Sequence, residues 1–126
     1  MGTYSFDANP ATNYPPPGKP YSTADSAVSG GDPLEFSPNG SVHKAADHAR
    51  YAGIAGNDAA AGANVPRYVG CALFTGTAEG AIAAGDDLAA STAPGHQVKT
   101  AGPGEEVIGR AQTAAADGAQ VHWLQR

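Results

Sequence analysis

His43, Asp47 and His48 fall within six consecutive residues, a set of side chains that could hold a metal ion or pass a proton. Their spacing argues against both. In a helical two-histidine metal motif the ligands sit one turn apart with a glutamate between them, and that pattern is missing here. A later stretch that matches this one, KTAGPGEE, carries no histidine. The three residues therefore read as part of a solvated loop between hairpins. His96 reads as a loop-tip residue, and His122, alternating with Trp123 in a final strand, as a surface or interface residue. Asp32, Asp86 and Asp87 suggest paired carboxylates or a calcium loop, but the alternating ligand series and closing glutamate of an EF-hand are absent. An aspartate beside glycine ahead of a strand is ordinary turn chemistry. Asn39-Gly40-Ser41 matches a glycosylation acceptor, yet without an export signal it reads as a hairpin turn. There is no Gly-x-Ser-x-Gly elbow, phosphate-binding loop or dinucleotide fingerprint. The single cysteine, Cys71, rules out a disulfide framework or cysteine zinc cage and is expected to be a small buried filler. These absences predict no catalytic, metal or cofactor-binding residue.

The elements that would position any site come in two copies. Gly31, Asp32 and Leu34 return 54 positions later as Gly85, Asp86 and Leu88. After two extra residues, Val42, Gly53, Ala55, Gly62 and Val65 return 56 positions later as Val98, Gly109, Ala111, Gly118 and Val121. In the first copy PLEF and SVHK flank SPNG, whose Asn39-Gly40 pair suits a tight hairpin. In the second, DLAAS and HQVKT flank TAPG, and the two extra residues lengthen the same loop. Each copy then has a strand, a small-residue turn ending in Gly62 or Gly118, and a returning strand. YVGCALF, the most apolar segment, is expected as a central strand linking the copies. Alanine runs before Gly62 and Gly118 stop too soon for more than a helical turn. The prediction is an all-β barrel or sandwich of short antiparallel strands with an internal duplication, halves at about 27–68 and 81–124, in one domain over residues 22–126.

Ahead of it, residues 1–21 hold Pro10, Pro15, Pro16, Pro17 and Pro20 interleaved with Tyr4, Phe6, Tyr14 and Tyr21. Proline removes backbone donors and favours an extended path, so this stretch is predicted to be an arm that docks on something. Of the 126 residues, 27 are alanine and only 17 are Leu, Ile, Val or Phe, so the core is thin and is expected to be helped by a partner surface or further copies. A net charge of −5 with 7 Lys plus Arg gives no electrostatic footprint for nucleic acid or an acidic membrane. No apolar run approaches the ~20 residues of a membrane-spanning helix. With no signal peptide visible, a soluble cytosolic product is expected.

The pattern IAAGDDL, GHQVKTA and EEVIGRAQTAAADGAQVHWL resembles the capsid cement, or head decoration, proteins of tailed bacteriophages. Gly85, Asp86, Leu88, Val98, Val107, Gly109, Ala111, Gly118 and Val121 occupy that family's positions, as do Gly31, Asp32, Leu34, Val42, Gly53, Ala55, Gly62 and Val65 in the first copy. The resemblance covers about 100 residues, from Ala27 onward. It implies a β-rich protein that binds the outside of the assembled head, often as a homotrimer, bridges major capsid proteins and stabilises the shell without catalysis or cofactor. Its implied location is the virion exterior, after synthesis in the host cytoplasm. The arm residues Tyr4, Phe6, Tyr14, Pro15, Pro16, Pro17 and Tyr21 are candidates for contact with the shell or a neighbouring subunit. Three rivals remain open: a small β carrier or ligand-binding module using Lys44 in the manner of a lipoyl lysine, an enzyme using His43, Asp47 or His48, and a phage tail or baseplate component.

Overall fold

The computed structural model describes residues 22–46 and 50–126, which form eleven strands and no helix. In the first half these are β1 (Ser22–Thr23), β2 (Pro33–Phe36), β3 (Val42–Lys44), β4 (Tyr51–Ala55), β5 (Asn64–Val65) and β6 (Arg67–Tyr68). In the second they are β7 (Leu73–Glu79), β8 (Asp87–Ala90), β9 (Val98–Thr100), β10 (Gly109–Ala111) and β11 (Gln120–Gln125). The second half closes into a barrel in the order β10-β11-β7-β9-β8, with β7 and β9 parallel and the other neighbours antiparallel. The first half contains a four-stranded sheet, β3-β2-β4-β6, and a separate β1-β5 pair. A parallel bridge from Ala24 to Val42 ties the end of β1 to β3.

The two halves make the same hydrogen bonds at the spacing of the sequence repeat. The Gly31 N–H donates to Ala55 O and Gly85 N–H to Ala111 O, both at 2.8 Å. Val28 and Ala59 exchange bonds as Ile82 and Ala115 do, and Gly62 donates to Ala24 O as Gly118 does to Ala78 O. Asp32 Oδ2 accepts from Ser29 N–H at 3.0 Å, and Asp86 Oδ2 from Ala83 N–H at 2.9 Å, so each aspartate ties the turn that starts its copy. Leu34 faces Gly53 and Leu88 faces Gly109. The duplication is therefore one of backbone pairing as well as of sequence.

The copies differ at Pro66. Where the second copy has His122 inside the continuous β11, the first has a residue without an N–H, and its returning strand is split into β5 and β6. The expected first hairpin forms, with Phe36 opposite Val42, Ser37 N–H donating to Ser41 O and Gly40 at φ 87°. Only Gly40 of the Asn39-Gly40 pair takes positive φ.

The larger core packs Leu88, Val98, Ile108, Val121 and Trp123 of the second half together with Ala45 and Ile54 of the first. The smaller core is built from Ala24, Val28, Leu34, Val42, Ala52, Ala55, Ala59 and Val65, with nothing larger than leucine. Polar bonds also cross between halves. The Lys44 ammonium donates to Ala93 O at 2.9 Å and His96 O at 2.7 Å, so the lengthened loop of the second copy is held against the first.

Two expectations are corrected. YVGCALF is not one central strand: Tyr68 ends β6, Leu73 starts β7, and the intervening backbone turns at Gly70, φ 86°. Cys71 lies in that turn and is exposed, not a buried filler. Small residues there permit a turn, and Tyr68, Val69 and Leu73 stay on the surface while Phe74 packs against the larger core.

Candidate docking surface

His43 lies in β3, not in a loop, and its ring stands among hydroxyls and carboxylates. Nδ1 is 2.9 Å from Ser37 Oγ and 3.5 Å from Asp25 Oδ2, while Nε2 is 3.8 Å from Glu35 Oε1. Asp47 and His48, its expected companions, lie outside the described residues. The Ser37 hydroxyl donates to Asp25 Oδ2, which also accepts from Ser41 Oγ at 3.0 Å. The Ser37 bond, opposed by burial and helped by Ser41 and His43, holds the Asp25 carboxyl below the usual range. The Ser37 hydroxyl is bonded to the Asp25 carboxylate while its backbone N–H closes the hairpin onto Ser41 O. The cluster braces the β2–β3 turn against Asp25. Among the described residues, no group of three His, Cys, Asp or Glu side chains is placed to hold a metal ion.

Asp32 and Asp86 serve their turns, and Asp87 sits outside the barrel, 3.4 Å from the Arg110 guanidinium. His96 Nε2 is 3.7 Å from Asp117, and His122 is exposed beside Thr75, 3.1 Å away. Lys44, the rival's carrier lysine, is engaged with two carbonyl oxygens. Beside it a polar cleft between the halves is lined by Ser29, Asp32, Lys44, Thr77 and Gln97. Gln97 already donates to Gly30 O at 3.3 Å and Thr77 Oγ1 accepts from Gln120 at 3.0 Å, so much of the cleft's polarity is spent within the chain.

Apolar surface concentrates elsewhere. Tyr68 is 54% exposed, Val69 69% and Leu73 70%, unusual values for three large apolar side chains within six residues. Tyr68 meets Phe74 edge to face at 5.7 Å, and Phe74 meets buried Trp123 at 5.3 Å, so the patch is anchored to the larger core. Leu73 stands opposite Leu124, Leu124 opposite Arg110, and Arg110 opposite Asp87. β11 alternates exposed and buried residues along its length, which places Leu124 on the barrel's outer side. The result is a row across three strand pairings, apolar at one end and charged at the other.

Beneath the patch, Gln125 Nε2 donates to Tyr51 Oη at 2.6 Å and Tyr68 O at 3.0 Å, fastening β11 to both β4 and β6. Burial pushes the Tyr51 hydroxyl up to about 12, against a lowering by the Gln125 bond. Reading the sequence missed this surface because apolar content alone suggested burial; the Gly70-Cys71-Ala72 interruption was the available signal of a turn. The arm residues Tyr4, Phe6, Tyr14, Pro15, Pro16, Pro17 and Tyr21 lie outside the described residues.

No family model matches the chain, and no curated protein does. Among solved structures, the chain is similar to the head fiber gp8.5 N base of bacteriophage phi29, with a TM-score of 0.65 and 20% identity over 83% of this chain and 90% of that one. The two proteins share a fold across nearly their whole compared lengths.

Proposed function

We propose that this chain is a structural protein of a tailed-phage head. In this reading it binds the outer surface of the assembled shell as a homotrimer and stabilises the shell by bridging major capsid proteins. The observation that carries the reading is the fold shared with a phage head fiber base, over most of both chains. The sequence resemblance to head decoration proteins points the same way, and the exposed apolar patch supplies a surface for protein contact. Weak contacts suffice when copies are linked, because each later contact is then effectively intramolecular. The reading needs no turnover, cofactor or nucleic acid, and the arm, residues 4–21, is its second candidate contact.

Mixing the purified chain with undecorated heads and imaging them by electron cryomicroscopy tests the proposal. Density on the exterior at three-fold or quasi-three-fold positions is expected; heads that take up none of the chain overturn it. Deleting residues 1–21 and finding unchanged occupancy removes the arm from the mechanism. A second reading, favoured by the neighbour's being a fiber base, makes the chain a pedestal for a longer projection, which the same images separate from a plain knob.

A further inference from the structure

Asn39-Gly40 sits exposed at the tip of the β2–β3 hairpin, and it is the one place in the sequence where asparagine precedes glycine. The other asparagines precede Pro10, Tyr14, Asp58 and Val65. The distinction is chemical. A main-chain nitrogen can attack the side-chain carbonyl carbon of an asparagine just before it, and a following residue without a Cβ leaves that approach open. The Asn39 carbonyl is also polarised for attack, because its Oδ1 accepts from Ser41 N–H at 3.1 Å and from Ser41 Oγ at 2.6 Å.

The fold restrains the nucleophile. Gly40 N–H donates to Ser37 O at 2.9 Å and Ser37 N–H to Ser41 O at 2.8 Å, so the Gly40 peptide must rotate out of this turn before its nitrogen can reach Asn39 Cγ. Asp25 holds the turn shut. Its Oδ2 accepts from a hydroxyl on each side of the tip, Ser37 and Ser41, the latter at 3.0 Å. Its own N–H donates to Val42 O at 2.8 Å, which fixes the carboxylate beside β3. Ser41 Oγ stands within bonding distance of both Asp25 and Asn39 and has one proton to give.

We infer that Asn39-Gly40 is a site of spontaneous deamidation, gated by opening of the β2–β3 turn and restrained by the Asp25 brace. In the opened turn Gly40 N attacks Asn39 Cγ: the N–Cγ bond forms, the Cγ–Nδ2 bond breaks, and ammonia leaves with the proton lost from Gly40 N. Water then opens the succinimide at either carbonyl, giving aspartate or isoaspartate, with no oxidant or reductant involved. Both products loosen the hairpin. Aspartate sets a second carboxylate in competition with Asp25 for the single Ser41 hydroxyl proton, and isoaspartate lengthens the main chain of the turn by one carbon, against the Gly40–Ser37 bond. The inference is independent of the head-binding reading.

The test incubates the full chain in mildly alkaline buffer, folded and unfolded in urea, and follows each asparagine by peptide mapping and mass spectrometry. In the folded chain Asn39 is expected to convert while Asn57 and Asn64 stay intact, and to convert more slowly than in urea. Asp25→Ala, which removes the acceptor shared by Ser37 and Ser41, is expected to speed the folded-state conversion roughly ten-fold, the effect of about one hydrogen bond to a charged group. Amide exchange on the unsubstituted chain gives a measurement free of any folding defect in the variant: Gly40 N–H should be protected by a factor comparable to that by which folding slows deamidation. Asn39 left intact in the folded chain after the unfolded chain has converted fully overturns the site. Conversion as fast folded as unfolded, an unchanged rate in folded D25A, or a Gly40 amide that exchanges freely overturns the gating.

Discussion

Gly109 runs against Leu124 so closely that a Cβ at position 109 would stand 2.3 Å from the Leu124 carbonyl oxygen and 2.6 Å from the Trp123 ring. The clash is with backbone and a buried aromatic, neither of which can swing aside. The first copy repeats the relationship: a Cβ on Gly53 would stand 2.5 Å from Tyr68 O, with φ at +119°. These glycines let the hairpin's two strands close on each other in both halves. Gly109→Ala is accordingly expected to cost about 3 kcal/mol, the upper range for overpacking, in a denaturant titration. Gly118→Ala, at φ +80° with open space around it, should cost only about 1 kcal/mol of backbone strain.

Lys44 fastens the lengthened loop of the second copy to the first through Ala93 O and His96 O. Removing a charged donor from two carbonyls is expected to cost about 2 kcal/mol, so Lys44→Met should lower the melting temperature measurably. The same bonds argue against a carrier role for this lysine. Intact mass after expression in a lipoylating cell should show the unmodified chain; an added lipoyl group would reverse that conclusion.

Acid and base should weaken the fold through different residues. The folded pKa of Tyr51, about 12, lies above its ordinary 10.0, so the unfolded chain ionises first. Its contribution is full below pH 10 and is lost as pH rises toward 12, by roughly 1–2 kcal/mol for a group still partly exposed. Tyr51→Phe should flatten that alkaline loss in urea midpoints measured across the range. Asp25 shifts the other way, held below 3.8 first of all by Ser37. Its contribution is present above the ordinary value and disappears as pH falls through the lowered one. Ser37→Ala should therefore reduce the acid dependence of stability below about pH 4.

The repeat was readable from sequence because its anchors serve the backbone. Asp32 and Asp86 tie turns, Gly62 and Gly118 need positive φ, and Gly53 and Gly109 need the absence of a Cβ, so substitution is penalised locally and the spacing survives. The strand pairs followed from those anchors. The closure of the second half did not, since the parallel β7–β9 contact joins residues that no local pattern connects. Nor did the placement of Tyr68, Val69 and Leu73, because hydrophobicity states what a side chain avoids and not whether this chain or another covers it. His43 looked like a loop residue beside Asp47 and His48, but β3 carries it to Ser37 and Asp25, contacts that depend on register.

Arg67 and Trp123 occupy the same place in the two copies, opposite Ala55 and Ala111 respectively, and they stabilise their halves by different physics. Trp123 is 1% exposed and packs with Leu88, Val98 and Val121, so its truncation opens a large void in the main core. Arg67 instead donates to Ser22 Oγ at 2.8 Å and Ala52 O at 2.6 Å and lies over the Phe36 ring at 5.1 Å. Each of those contacts is worth about 1 kcal/mol and can be taken over in part by water. Trp123→Ala is therefore expected to cost about 4 kcal/mol and Arg67→Ala about 2 kcal/mol. Chemical denaturation of the two variants, read by circular dichroism, distinguishes the cases; equal losses would show that the smaller core depends on Arg67 as heavily as the larger one depends on its tryptophan.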